Sequence, residues 1–250
     1  MTASEHLHLP WQEPMAVARI LADVFGEDGL IWLDGDGGAL GHDMTMAAAP
    51  VETICCRGLP GESGARNPFE ALRELTDGHW CGWLSYEAAA WTEQGNPWAD
   101  DGMASLWIAR HDPVLRFDVK QRRLRIEGTD GDAMQSLAKA LSLTPAPEPQ
   151  QLPGIPLNAW RHHTKANDFA EGVQRIRDLI TAGDLFQANL TACCSTDWPF
   201  GGKALELYLQ MRQQCPAPFS GLVISDNEEA LLSASPERFL RVDSTGRVQT

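Results

Sequence analysis

Val114-Leu115-Arg116-Phe117-Asp118-Val119, followed after Lys120–Arg123 by Leu124-Arg125-Ile126-Glu127, is the stretch that decides the fold class. From Leu115 through the first run, and throughout the second, apolar and polar residues alternate, the period-2 signature of strands with one buried face. The short polar connection makes them a β-hairpin, with Leu115, Phe117, Leu124 and Ile126 directed to the core. Working outward, Leu30–Leu33, Met44–Ala49, Val51–Arg57, Cys81–Tyr86 and Leu106–Arg110 read as further strands. Helices interleave with them. Pro14 suits the first turn of a helix closed by Gly26, with Met15, Ala18, Leu21 and Phe25 at near-helical spacing. Asp132 with Gln135 reads as a capping box ahead of a Met134, Leu137, Ala138, Leu141 stripe.

Residues 144 to 156 contain five prolines, at 145, 147, 149, 153 and 156, and read as a linker. The expected organisation is therefore a first domain over 1–143, a Pro-rich linker over 144–157, and a second region over 158–250. In the second region, Asp168 and Glu171 mark a helix start, Phe169, Val173, Ile176 and Ile180 line one face, and Gly183 ends it. A helix over Lys203–Gln214 leads to strands Phe219–Ile224, Ala230–Ala234 and Phe239–Val242, and Arg247–Thr250 begins another. The class is α+β, with mixed, mainly antiparallel sheets packed against a few helices.

The 250 residues carry a net charge of −14, which opposes nucleic acid and anionic membrane. No stretch approaches the ~18 apolar residues that span a bilayer, and the polar N-terminus has no signal-peptide pattern. Six cysteines without C-x-x-C spacing fit a reduced, cytoplasmic protein, and no ligand spacing predicts a metal site. Asp34-Gly35-Asp36-Gly37-Gly38 reads as an acidic turn, because it lacks the closing Glu of a calcium loop and the Lys of a phosphate loop. The seven histidines show no H-E-x-x-H or triad context and read as surface or loop residues.

Two segments stand out chemically. In Gly183-Asp184-Leu185-Phe186-Gln187-Ala188-Asn189-Leu190-Thr191, a strand would place Gln187, Asn189 and Thr191 together on one side, three neutral groups suited to a polar ligand. In Ser233-Ala234-Ser235-Pro236-Glu237-Arg238-Phe239-Leu240, Glu237 follows a proline that interrupts a strand. On periodicity alone, the first is the solvent face of an edge strand and the second an ordinary strand-end carboxylate. Neither reading yields a reaction.

These segments, taken with Gly82-Trp83-Leu84-Ser85-Tyr86-Glu87, Trp107 to Asp118, Arg175 to Asp184 and Pro216-Ala217-Pro218-Phe219-Ser220, resemble the chorismate-utilising enzymes in family order. Gln187-Ala188-Asn189-Leu190 resembles component I of aminodeoxychorismate synthase more than that of anthranilate synthase, which ranks second. The resemblance implies an anthranilate synthase component I-like fold. It also implies amination of chorismate at C4 to 4-amino-4-deoxychorismate, on the route to para-aminobenzoate and folate, with ammonia from a glutaminase subunit. Glu237 matches the family's active-site glutamate, fit to protonate the leaving hydroxyl and then take a proton from ammonia. Gln187, Asn189 and Thr191 are the implied substrate-binding residues. Mg²⁺ and a nucleophilic lysine belong to motifs expected beyond Thr250, so this chain is expected to be an N-terminal portion without synthase activity of its own. A remnant that binds only the glutaminase is the non-enzyme alternative. Some relatives bind tryptophan against a Pro-Phe-Ser segment matched here by Pro218, Phe219 and Ser220. Asp34 stands where a serine is expected and Gly41 to Met44 depart from the pattern, which argues against tryptophan.

Overall fold

The computed structural model describes residues 5–93, 95, 98–201 and 203–250. Two compact units emerge, one from residues 1–150 and 203–250, the other from 151–202. Residues after 203, grouped by sequence with the second region, thus run with the first unit. The physical reason is strand pairing. Phe219–Ile224 (β11) joins Ile31–Leu33 (β2) antiparallel, with Leu222 opposite Trp32.

Within the larger unit the strands are Glu5–Leu9 (β1), β2, Asp43–Ala47 (β3), Val114–Asp118 (β7), Arg123–Gly128 (β8), β11 and Ala230–Ser235 (β12). They form one antiparallel sheet in the order β1-β8-β7-β3-β2-β11-β12. A smaller sheet has Glu52–Cys56 (β4), His79–Leu84 (β5) and Leu106–His111 (β6) in the order β4-β6-β5. The hairpin forms as its alternation predicts: Leu115 and Ile126 are directly opposed, as are Phe117 and Leu124, and all four are buried.

Helices Pro14–Phe25 (α1), Gly131–Leu143 (α3) and Ala204–Gln214 (α5) cover that apolar face. Val17, Ile20 and Leu21, with Met134, Leu137 and Leu141, and with Leu205, Tyr208 and Leu209, join Trp32, Met44, Met46, Leu115 and Leu222 in one core. Each fully buried large aliphatic contributes about 1.5–3 kcal/mol relative to exposure. The α1 stripe is rotated from the expected one: Val17 and Ile20 are buried, whereas Phe25 is exposed. The α3 cap also differs. Asp130, not Asp132, accepts the Ala133 N–H at 3.0 Å, because the helix starts at Gly131. Pro68–Arg73 (α2), capped by Asn67, and β1 were not read from the sequence.

The other sheet face meets the small sheet at its β2–β11 end, and His79 of β5 also reaches Arg116 of β7 at 3.3 Å. At the β2–β11 end Ile31 and Val223 meet Trp83, Trp107 and Ala109 of the small sheet, and the two indoles stack at 5.3 Å. The β11–β12 turn latches this contact: Asp226 accepts from Trp107 Nε1 at 2.9 Å and from Thr53 Oγ1 at 3.3 Å. His111, expected at the surface, is buried with Nε2 2.9 Å from Gly29 O. It ends β6 where the two sheets converge, and burial pushes its pKa down.

The smaller unit contains Arg161–His162 (β9), Ala166–Ala182 (α4) and Cys194–Ser195 (β10), with β9 and β10 paired antiparallel. α4 begins after Lys165 with no side-chain cap, so the D-x-x-E reading supplies only a first-turn acid, Asp168. All six cysteines are free.

Candidate functional site

The chain through the proposed ligand-reading residues is set by how α4 ends. Gly183 adopts a left-handed φ of 84° and donates to the carbonyls of Ile180 and Leu179, a glycine C-cap. The Asp184 N–H also returns to Leu179 O, at 3.0 Å. Beyond this cap the expected strand does not form, and residues 187–193 have no regular structure. A strand needs a partner for its backbone groups, and among the described residues no strand pairs with residues 187–192; only at Cys193, whose carbonyl accepts the His163 N–H at 2.9 Å, does pairing begin. Without that sheet the alternation sorts no faces. Phe186 is 95% exposed, while Leu190 reaches back so that a Cβ on Gly172 of α4 would meet its Cδ2 at 3.0 Å. Gln187, Asn189 and Thr191 are exposed, and their side chains have no hydrogen-bond partner among the described residues. Their polar groups are open to a ligand.

Next to this segment, Cys194 Sγ lies 3.1 Å from His162 Nδ1, and His163 Nε2 lies 2.7 Å from Ser195 Oγ. Both histidines are exposed, as the sequence suggested.

Glu237 belongs to the larger unit. β12 ends at Ser235, whose hydroxyl donates to Glu237 O at 2.9 Å and accepts the Glu237 N–H at 3.3 Å. This small ring, together with Pro236, turns the chain out of the strand and leaves the Glu237 carboxylate exposed. The neighbouring Arg238 guanidinium sits over the Phe219 ring at 4.8 Å. Phe219 is opposite Ser235 in the β11–β12 register, so Pro218-Phe219-Ser220 and Ser235-Pro236-Glu237 are adjacent across one ladder.

Asp34 has a role that the sequence did not show. Its side chain is fully buried and bound by three donors: Tyr208 Oη at 2.8 Å, Arg212 Nε at 2.5 Å and the Gly35 N–H at 2.7 Å. Arg212 also lies 5.1 Å over the Trp32 ring, and Tyr208 packs edge-on to the same indole. Burial, then the Asp34 charge, pushes the Tyr208 hydroxyl far above the usual phenol range. The carboxylate that might have met a ligand's ammonium is therefore already neutralised from within. Tyr208 and Arg212 stand four residues apart on one face of α5, a spacing visible in the sequence. Their partner, more than 170 residues away, is not. The acidic turn that follows Asp34 is held against Pro218. A Cβ on Gly35 would fall 2.2 Å from Gly41 O, and one on Gly41 would fall 2.8 Å from Pro218 Cα. Backbone approach this close requires glycine at both positions.

Among the described residues, no three His, Cys, Asp or Glu groups converge in a metal-binding geometry. No described helix is long and apolar enough to cross a membrane.

The family model for "chorismate binding enzyme" matches residues 41–250. The chain belongs to that family. A match of this extent covers both segments singled out above, the one around Asn189 and the one around Glu237. Aminodeoxychorismate synthase component 1 of Klebsiella aerogenes is 31% identical over 93 residues, covering 37% of this chain and 20% of that protein. A probable chloroplastic aminodeoxychorismate synthase of rice is 30% identical over 145 residues, covering 56% of this chain and 14% of that protein. Anthranilate synthase component 1 of Streptomyces coelicolor is 27% identical over 185 residues, covering 65% and 35%. Among solved structures, anthranilate synthase component I of Streptococcus pneumoniae superposes with a TM-score of 0.59 at 21% identity, covering 82% of this chain and 52% of that one. The α+β arrangement is thus the fold of the chorismate-utilising enzymes, and the chain spans about half of that structure and less of the curated relatives.

Proposed function

We propose that this chain is the part of an aminodeoxychorismate synthase component I that carries the substrate-reading segment 187–191 and the acid–base residue Glu237. The observation that carries the reading is the family match over 41–250, joined to the Gln-x-Asn-Leu pattern of residues 187–190. The substrate is chorismate, aminated at C4 with ammonia delivered by a glutaminase subunit. Gln187, Asn189 and Thr191 offer amide and hydroxyl groups with no internal partner, suited to the carboxylates and hydroxyl of such a ligand. Glu237, on a rigid turn at the end of β12, protonates the departing hydroxyl and then accepts a proton from the incoming ammonia. Mg²⁺, when bound, offsets the charge of the substrate carboxylate.

Anthranilate formation is the second reading, favoured by the longer stretch shared with the Streptomyces coelicolor protein. Product analysis separates the two. The protein carrying this chain is incubated with chorismate, ammonium and Mg²⁺, and the products are resolved by chromatography and mass spectrometry. Aminodeoxychorismate is the expected product; anthranilate would move the assignment to the second reading, and absence of any amination would refute both. The 250-residue chain alone is expected to turn over no chorismate, and turnover by it would refute the view that essential groups lie outside it.

A further inference from the structure

The face of the large sheet away from the helices, over β3, β7, β8 and β1, carries a charged groove that the chorismate chemistry does not use. Its volume is about 400 Å³. The strand register fixes its pattern. Thr45, Arg116 and Arg125 lie directly opposite one another in one row across β3, β7 and β8. In the next row Asp43, Asp118 and Arg123 do the same. Arg116 beside Arg125 and Asp43 beside Asp118 are like-charged cross-strand pairs, an arrangement that repels within the sheet. Alternating the signs would remove the repulsion. Here two arginines adjoin in one row, and in the next, two residues along the strands, two aspartates adjoin with Arg123 completing the row.

Internal partners satisfy only part of this set. Arg116 is spent on Thr45 Oγ1 at 2.6 Å, Glu127 Oε2 at 3.2 Å and His79 Nδ1 at 3.3 Å. Arg125 approaches Glu127 only to 3.7 Å, and Arg123 has no ion pair among the described residues. Among the described residues, Asp118 accepts one bond, from the Gln121 N–H, through Oδ1, leaving Oδ2 without a partner, and the Asp43 carboxylate meets only the adjacent His42 ring. Arg125, held by one long ion pair, and Arg123 therefore share one small groove with the Asp118 and Asp43 carboxylates, each of which has hydrogen-bonding capacity left.

We infer that this groove binds a small zwitterion, an α-amino acid with a polar or minimal side chain. Its carboxylate pairs with Arg125, and its ammonium with Asp118 and Asp43. A plain anion would meet the aspartates, and a plain cation the arginines, so both signs on one ligand are needed. The walls are charged, and the apolar residues bordering the groove, Met44 and Phe117, are 2% exposed, so a large aromatic side chain finds no surface there. This inference is independent of the proposed reaction.

Calorimetry of the 250-residue chain at low salt, titrated separately with glycine, L-serine, L-glutamine and L-glutamate, tests it. Heat is expected from at least one, and none from its N-acetyl derivative or its carboxamide, each of which lacks one charge. Arg125→Gln, at an exposed position, and Asp118→Asn, at a half-buried one that keeps an acceptor for the Gln121 N–H, should each weaken binding by about tenfold or more. Amide chemical shifts should move in β3, β7 and β8. Silence from all four amino acids overturns the inference. So does binding that survives both substitutions, or shifts that map elsewhere. Binding retained by the N-acetyl derivative would make this a simple anion site and equally overturn it.

Discussion

Replacing Arg212 with leucine tests the buried pair at the turn after β2. Asp34 has no side-chain exposure, and Arg212 has 23%. The substitution removes the 2.5 Å and 3.3 Å guanidinium bonds and the cation over Trp32, leaving the carboxylate with Tyr208 and the Gly35 N–H. Stripping one partner from a buried ion pair costs about 3–5 kcal/mol. Because solvent reaches part of Arg212, we expect the lower end, about 3 kcal/mol. Asp34→Asn keeps an acceptor for Tyr208 but loses the charge, for an expected cost of about 2 kcal/mol. The double variant should recover about 1–2 kcal/mol of the summed loss, because each single change strands a group that the other removes. Urea unfolding of the four proteins, followed by circular dichroism and tryptophan fluorescence, measures all three quantities. A loss below about 1 kcal/mol for Arg212→Leu, or strict additivity, would refute the view that this pair anchors the loop to α5.

Three further outcomes are expected. His111 has a folded pKa depressed by burial, below its ordinary value of about 6.5, so the unfolded state binds more protons as pH falls below that value. Its stability contribution is complete above about pH 6.5 and is lost on acidification towards the folded pKa; the urea midpoint should fall between pH 7.5 and 5.5, and His111→Asn should flatten that slope. Gly35→Ala places a Cβ 2.2 Å from a backbone oxygen and should cost about 1–3 kcal/mol, whereas Gly131→Ala, with nothing within 4 Å, should be neutral or slightly stabilising; thermal melts compare them. Glu237→Gln should leave stability within about 0.5 kcal/mol, since the side chain is exposed. In the protein carrying this chain the same change should lower the amination rate by about 10²–10⁴-fold, read by product formation.

Much of the architecture was legible because it is written in local periodicity. The 114–127 hairpin forms in the register that its alternation implies. α1 begins at Pro14 and is closed by Gly26, whose positive φ the residue type announces. α5 and the β11–β12 pair were placed nearly to the residue. Misplacements came where local signals compete. Asp130 and Asp132 both suit a cap, and only the first helical hydrogen bonds choose between them. Residues 183–191 carry a strand's alternation, yet alternation supplies no partner, and the segment stays irregular.

The sequence by itself determined the class of fold, the ends of its best-capped helices and the ordered motifs that lie within the family match over 41–250. Those depend on neighbours a few residues apart, and side-chain period and backbone preference act at that range. Only the tertiary structure decided which polar groups are free and which are already used. Asp34 reads as a loop carboxylate until α5 brings Tyr208 and Arg212 onto it, and His111 reads as a surface residue until two sheets close over it. The paired arginines and aspartates of the open sheet face become a groove only through the register of three strands. Such groupings join residues tens to hundreds of positions apart, and pairing across a sheet or under a helix is a property of the folded chain as a whole.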